Sequence, residues 1–243
     1  MRNARTRALV IIAAILIGAA AVAFGFGNRS SAPLPARPAA QRPTLLLLTS
    51  LPLVFGEQFS LDGGGSPALK AIETRYRVVP ISVTDEKELA KGRLLLMAHP
   101  LAQPAEDLVA LDNWVRRGGR VMLLADPMLE WPSERPLGDP LRSPPMFMDT
   151  GLLGHWGLRL DAPEERGAAA RELGGYRVAT GSPGQLYGSC DISRDRLVAN
   201  CAIGKGRATI VADADLLDVD HVGGDAGHNL DALLAELARL ERK

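Results

Sequence analysis

The stretch that decides the fold is "LLLMAHPLAQPAEDLVALDNWVRRGGRVMLLADP", residues 94–127. One apolar run ends at His99-Pro100 and a second ends at Asp126-Pro127. The apolar residues between the runs recur at the spacing of one helix face: Leu108, Leu111 and Val115. The stretch therefore predicts a strand, a helix over about 104–117 and a second strand, which is the unit that builds parallel sheets.

Three further apolar runs extend this pattern, at 44–52, 77–83 and 206–217. Runs without polar alternation are typical of strands that are buried on both faces, as in a parallel sheet covered by helices. Pro80 places the second run at a sheet edge, because proline cannot donate a ladder hydrogen bond. Helices are expected from Ser66-Pro67 to about Tyr76, over about 146–156 and over about 225–242. The fold class is an α/β domain with an open, mostly parallel sheet.

The N-terminus predicts a membrane segment at residues 8–27, which contains no charge. Twenty helical residues rise about 30 Å, which matches the hydrocarbon core of a bilayer. Because the preceding residues 1–7 carry three arginines and no acid, we expect them to stay in the cytoplasm and the rest to be exported. The segment fits an uncut signal-anchor, and a signal peptide cleaved before Phe24 is the alternative.

The domains that follow are a proline- and alanine-rich linker at 28–43 and an α/β domain at 44–243. This topology puts a single-pass protein in the inner (plasma) membrane, with its C-terminal domain in the periplasm or its extracytoplasmic equivalent. The partners expected from this address are the membrane itself and other envelope proteins. Lysine plus arginine and aspartate plus glutamate both number 28, so a non-specific nucleic-acid binder is excluded by charge.

The cysteines Cys190 and Cys201 flank a polar turn between two short apolar runs. If Asp195 and Arg196 are the central turn residues, counting outward along the hairpin places Cys190 opposite Cys201. In an oxidising compartment this pairing predicts a disulfide. A C-terminal β-hairpin is therefore part of the predicted fold. Two unpaired core thiols or a reactive thiol pair are the alternatives.

Several patches together resemble the GldG-like auxiliary domain of ABC-type transport systems. They are "PTLLLLTSLP", the stretch 94–127, "GLLGHWGLRL", "IGKGRATIVADADLL" and "HNLDALLAEL". The resemblance covers nearly all of residues 43–243 and implies a flavodoxin-like or glutamine-amidotransferase-like fold without the catalytic apparatus. It also implies a role as accessory component of a transporter, with an ABC permease or a related envelope protein as partner. Members often carry a C-terminal membrane helix, and "ARLERK" is not one, so attachment is expected at the N-terminus.

Catalysis is not predicted from the residues. Amidotransferase-like enzymes need a cysteine nucleophile on the turn after a central strand, and the corresponding turn here is Ala98-His99-Pro100. His99 either binds a ligand or holds its loop by a hydrogen bond to the backbone. The acidic stretch from Asp213 to His228 is the strongest metal candidate, but its spacing matches no EF-hand, and Asp213 and Asp215 are expected to cap the segment after their strand. No cofactor and no metal are expected.

The proline-rich loop after the fourth strand leaves from the carboxyl end of the sheet, where ligands of open α/β sheets usually lie. The residues expected to form a partner surface there are His99, Met128, Trp131 and Phe147. The alternative is that this loop folds down on its own sheet.

The sequence thus predicts a membrane-anchored, non-catalytic binding or scaffold module. A small-ligand sensor for a glycan or nucleotide, at the glycine-rich loop 63–65, is the first alternative. A degenerate hydrolase using His99 is the second.

Overall fold

A computed structural model of the chain describes residues 32–56 and 65–242. The predicted cytoplasmic N-terminus, the signal-anchor at 8–27, the first residues of the linker and most of the glycine-rich loop lie outside the described residues. Within the two described ranges, no helix combines the length and the apolar character that crossing a bilayer requires.

The secondary structure of the described residues comprises strands, helices and two short 3₁₀ turns. The strands are β1 (Thr44–Thr49), β2 (Arg77–Pro80), β3 (Leu94–Ala98), β4 (Arg120–Leu124), β5 (Leu158–Asp161), β6 (Ala168–Leu173), β7 (Tyr176–Gly181), β8 (Gln185–Gly188), β9 (Asp191–Ile192), β10 (Val198–Ile203) and β11 (Gly206–Val211). The α-helices are α1 (Pro67–Glu73), α2 (Glu86–Leu89), α3 (Ala105–Arg116), α4 (Leu152–His155) and α5 (Asn229–Arg242). The 3₁₀ turns are Ala39–Gln41 and Asp215–Leu217.

The central sheet has seven strands in the order β2-β1-β3-β4-β11-β10-β9. The first five strands of that order run parallel, and β10 and β9 are antiparallel additions at one edge. The mixed α/β class and the mostly parallel sheet are therefore confirmed. The strand that carries Pro80 lies at the opposite edge, as its missing N–H requires.

The apolar runs occupy the middle of the sheet because both of its faces are covered. All five residues of β3 are buried, and so are the four central leucines of β1. Leu111 and Val115 of α3 have no exposed surface. Since burying one leucine side chain stabilises a fold by about 1.5–3 kcal/mol, this core is the main reason that the strands stay together.

Gly206, which follows the tight turn between β10 and β11, is required by close backbone packing. A Cβ at Gly206 would lie 2.0 Å from the Val115 carbonyl oxygen and 2.3 Å from that of Gly119. Gly204 has a φ of 59°, in the left-handed region that glycine adopts without strain. These glycines serve the β10–β11 turn beneath the end of α3.

The hairpin and the disulfide are confirmed. Ile192 pairs with Ala199 and Asp191 pairs with Asn200, so the next pair in the register is Cys190 with Cys201. Their sulfurs are bonded, with a Cα–Cα distance of 4.9 Å. Arg196 adopts a φ of 60° in the turn, and Asp195 accepts hydrogen bonds from Ser193 and Leu197 there.

Two features between β4 and β9 differ from the prediction. The helix expected over 146–156 is a single turn, α4, because Gly151 has a φ of 111° and Asp149 accepts from the Gly151 and Leu153 N–H groups just before it. The polar connection after it and the residues that follow form two small antiparallel sheets: β5 pairs with β8, and β6 pairs with β7 in a hairpin between them. Their mixed, partly exposed residues carry little of the alternation that identifies a strand.

The end of the predicted linker packs on the domain. Arg37 pairs with Glu241 of α5 at 2.9 Å, and its backbone N–H donates to Thr74. Tyr76 donates to the same Glu241 carboxylate at 3.1 Å. The compact unit accordingly begins at Pro33, eleven residues before the predicted start of the α/β domain at residue 44.

Candidate functional site

Three neighbouring parallel strands end in buried polar residues at the same edge of the sheet. His99 follows β3, Asp126 lies two residues beyond β4 and Asp213 lies two residues beyond β11. None of these three side chains has any exposed surface. Burying polar side chains this completely is costly unless hydrogen bonds or opposite charges replace the lost water. Ligands of open α/β sheets usually lie at this edge, so it is the candidate functional site.

His99 is held in a strained and enclosed position. Its φ is 46°, which is uncommon for a residue with a Cβ. The ring Nε2 lies 2.9 Å from the Pro144 carbonyl oxygen, and since that oxygen can only accept, Nε2 carries the proton. The ring Nδ1 is buried without a hydrogen-bond partner among the described residues. Burial lowers the pKa of His99 below its ordinary value, so the neutral ring is favoured.

The proline-rich loop 127–147 covers this edge. The Phe147 N–H donates to the Asp126 carbonyl at 2.6 Å, and the Leu129 N–H donates to Pro145 at 3.0 Å. The Ser143 hydroxyl donates at 2.7 Å to the carbonyl of Ser50, in the loop after β1. The loop thus folds back on its own base and closes over the end of β3.

A second buried group on this edge is a cluster of three carboxylates, which we call the acidic cluster: Asp126, Asp213 and Asp215. One oxygen of each lies within 4.8 Å of the others. Asp215 is only 2% exposed. Asp126 comes from the β4 end and the other two from the β11 end, so the parallel pairing of β4 with β11 brings them together.

Backbone N–H groups donate to five of the six carboxylate oxygens of the acidic cluster. The donors are Met128 and Ala214 to Asp126, Leu216 and Gly181 to Asp213, and Glu130 to Asp215, at 2.8–3.0 Å. The cluster therefore fixes the start of the loop 127–147, the end of β7 and the 3₁₀ turn after β11. The expected capping by Asp213 is confirmed by its bond to the Leu216 N–H. Asp215 instead reaches across to the loop.

The environment of the acidic cluster favours the uncharged form of its carboxyl groups. Burial raises the pKa of Asp126 to about 6, and the backbone N–H donors hold it from rising further. Burial and the neighbouring Asp126 raise the pKa of Asp215 to about 8. Burial, with Asp126 and Asp215 nearby, raises the pKa of Asp213 well above its ordinary value. Three such groups cannot all be charged here without a compensating cation.

The rest of the acidic stretch does not join this cluster. Asp218 bonds to His221 at 2.9 Å. His228 lies 3.7 Å from Asp231 and packs against the ring of Tyr176, at a centroid distance of 5.7 Å. The sequence argument missed Asp126 as a member, because its position beside Asp213 depends on strand order.

The four residues predicted to form a partner surface differ in burial. His99 is fully buried, so its expected place on that surface is corrected: a partner could touch it only after the loop above it moved. Trp131 and Phe147 are half-buried and pack against the core, and Met128 is also half-buried. Some apolar residues of the loop therefore pack down on its own sheet, which is what the alternative interpretation predicted.

Other apolar residues of the same edge point outward instead. The exposed large apolar side chains among the described residues are Phe55, Leu101, Val109, Leu137, Leu141, Met146 and Met148. All but Val109 belong to the connections that follow β1, β3 and β4 at their carboxyl ends. Phe55 and Leu141 are 83% and 71% exposed and line a groove of about 360 Å³ with Val54 and Ile81. We call Phe55, Leu101, Leu137, Leu141, Met146 and Met148 the carboxyl-edge patch.

The comparisons with known proteins bear on the fold alone. The sequence matches no protein-family model and no curated protein. A cytoplasmic protein from Salmonella typhimurium aligns in structure with a TM-score of 0.51 at 9% identity, over 82% of this chain and 98% of its own. An exo-β-1,4-mannosidase from an Opitutaceae bacterium gives 0.49 at 12% identity over 81% of this chain, and a β-galactosidase from Bacillus circulans gives 0.44 at 13% over 86%. This chain spans only 36% and 32% of those two glycosidases.

Proposed function

We propose that this domain is a non-catalytic recognition module with a glutamine-amidotransferase-like fold, anchored to the membrane by residues 8–27. In this proposal it serves as an accessory component of an ABC-type transport system, as its resemblance to the GldG-like domain implies. The partner is a permease or a related envelope protein, and it docks on the carboxyl-edge patch.

The observation that carries the proposal is the concentration of exposed apolar residues at one edge. Six of the seven large exposed apolar side chains among the described residues lie on the three connections at this edge. Phe55 and Leu141 line one groove there, and exposed apolar residues gathered at one edge are typical of a protein interaction site. Scattered exposure, by contrast, would need no explanation.

The closed state of the neighbouring corner supports the non-catalytic part of the proposal. In the amidotransferase-like fold the turn after β3 would carry the nucleophile, and here it carries His99. A histidine with no exposed surface, hydrogen-bonded to the Pro144 carbonyl of its own covering loop, offers nothing that a substrate could reach. Its left-handed φ fits a retained sharp turn whose reactive residue is absent.

The test uses charge inserted into the carboxyl-edge patch. We expect Leu141→Asp to reduce association of the full chain with its transporter partner at least tenfold, because an aspartate would have to be desolvated in the interface. Val109→Asp is the matched control, since Val109 is 61% exposed but lies on α3. Association is measured by quantitative co-purification from membranes.

Equal association of both variants with the partner would contradict the proposal. A loss of the cellular phenotype on His99→Asn alone, with folding and association intact, would favour the hydrolase interpretation instead. Trp131 and Phe147 are less suitable positions for this test, because their side chains pack against the core and replacing them would disturb the fold as well.

A further inference from the structure

The acidic cluster consists of buried carboxylates that the proposed partner recognition does not require. Asp126, Asp213 and Asp215 are buried at the junction of β4, β11 and the loop 127–147. Backbone hydrogen bonds account for five of their oxygens, as described above. The sixth oxygen has no hydrogen-bond partner, and no basic side chain pairs with the three carboxyl groups, among the described residues.

The sixth oxygen is Oδ1 of Asp215. It is shut off from solvent and has no hydrogen-bond partner among the described residues. Leaving a buried acceptor unsatisfied costs about 1–3 kcal/mol, and more for a charged group. This unpaired oxygen belongs to a side chain that lies close to two other carboxylates. A ligand bound between the three carboxylates would satisfy it.

The charge of the acidic cluster has no compensating partner either. None of the ion pairs formed within residues 32–56 and 65–242 involves Asp126, Asp213 or Asp215. The charged side chains that raise the pKa of Asp215 are also acidic: Asp126, Glu130 and Asp218. Keeping all three ionised without a counter-charge would cost several kcal/mol for each carboxylate.

The spacing of the carboxylates suits one ion. A calcium ion binds oxygens at about 2.3–2.6 Å, so two oxygens on opposite sides of it are about 4.6–5.2 Å apart. The three oxygens of the acidic cluster fall within 4.8 Å of one another, inside that limit. Their backbone N–H bonds do not prevent coordination, because a carboxylate oxygen has a second lone pair.

We propose that Asp126, Asp213 and Asp215 form a binding site for one hard divalent cation of the calcium or magnesium type. A donor set of oxygens alone selects such cations over zinc, which prefers nitrogen and sulfur in proteins. The ion would join the ends of β4 and β11 and, through the Met128 and Glu130 N–H groups, fix the base of the loop 127–147. The residues of the carboxyl-edge patch that lie on this loop, Leu137, Leu141 and Met146, would then depend on the cation for their position.

The experiment uses the full chain in detergent, treated with EDTA and then freed of chelator. Ions bound after equilibration with CaCl₂ or MgCl₂ are counted by inductively coupled plasma mass spectrometry, and thermal unfolding is followed in parallel. We expect one ion per chain and a rise in Tm of about 5–10 °C at a hundredfold excess over Kd. No bound ion and no shift with either salt would overturn the proposal, and would mean that protons alone neutralise the acidic cluster.

Asp215→Asn locates the site. The amide keeps the shape and an oxygen for the Glu130 N–H but removes one charge, so we expect at least a tenfold loss of affinity. Without divalent ions this variant should unfold at or above the wild-type Tm, whereas a purely structural carboxylate would give a lower Tm. Asp218→Asn is the matched control, since Asp218 is buried nearby but bonds to His221, and it should keep the ion-dependent shift. An ion-dependent shift that survives Asp215→Asn would overturn the assignment to this cluster.

Discussion

His99 shows how far a single position can be predicted from the sequence. Its place at the end of a central strand follows from the apolar run that precedes it. Its burial does not follow, because it depends on Pro144 returning from a loop more than forty residues away, with the ring and the Pro144 carbonyl 2.9 Å apart. Asp126 and Asp213 illustrate the same limit: each strand end was visible, but the order that makes β4 and β11 neighbours was not.

The protonation of His99 gives a prediction at the residue scale. Its folded pKa is lowered, so below the ordinary value of 6.5 the unfolded chain takes up a proton that the folded chain refuses. The stability contributed by the neutral ring is present above that pH and is lost as the pH falls. The slope is at most about 1.4 kcal/mol per pH unit. A proton on Nδ1 would have no acceptor in the folded state.

The measurement is urea unfolding of the full chain at pH 7.5, 6.5 and 5.5, for the wild type and for His99→Asn. Asparagine does not titrate in this range and tolerates a positive φ better than most residues. The wild type should lose more free energy of unfolding between pH 6.5 and 5.5 than the variant does. Parallel pH profiles for the two proteins would show that His99 is not the titrating group.

At the scale of elements, the apolar strands of the central sheet were predictable and the strands of the two small sheets were not. Leucine runs without polar alternation identify β1, β3 and β4, and turn geometry alone gave the register of β9 with β10. The two small sheets gave no such signal: β6 is mostly exposed or half-buried, and β7 is buried at five of six positions but has neither a run of leucines nor a regular alternation of apolar and polar residues. The helix expected over 146–156 fails because Asp149 and Gly151 set its start at Leu152.

The disulfide between Cys190 and Cys201 closes the β9–β10 hairpin over a sequence separation of 11 residues. Its removal should lower the free energy of unfolding by up to about 3 kcal/mol, since the unfolded chain regains the freedom of that loop. Cys190→Ala/Cys201→Ala is the variant to compare with wild type by urea unfolding, because alanine adds no polar group at the buried Cys201. Reductant should destabilise the wild type and leave the double variant unchanged. Equal stability of both proteins would contradict this account.

At the scale of the whole molecule, the two proposed roles fall on the surface and in the interior of the same sheet edge. The same carboxyl edge presents the exposed carboxyl-edge patch outward and buries His99 and the acidic cluster beneath the loop 127–147. The sequence predicted that this edge would be the functional one, because the proline-rich loop leaves from it. It could not predict which loop residues face outward, since Trp131 and Leu141 are both large and apolar and only the folded loop distinguishes them.

Site-specific photo-crosslinking in intact cells tests the proposed recognition surface most directly. A photoreactive phenylalanine analogue replaces Leu141 of the carboxyl-edge patch in one variant and Val109 of α3 in the other, and the crosslinked proteins are identified by mass spectrometry. The account predicts a strong adduct with a transporter subunit from position 141 and none from position 109. Equal labelling from both positions, or no adduct from position 141 while the protein is folded and membrane-bound, would contradict it.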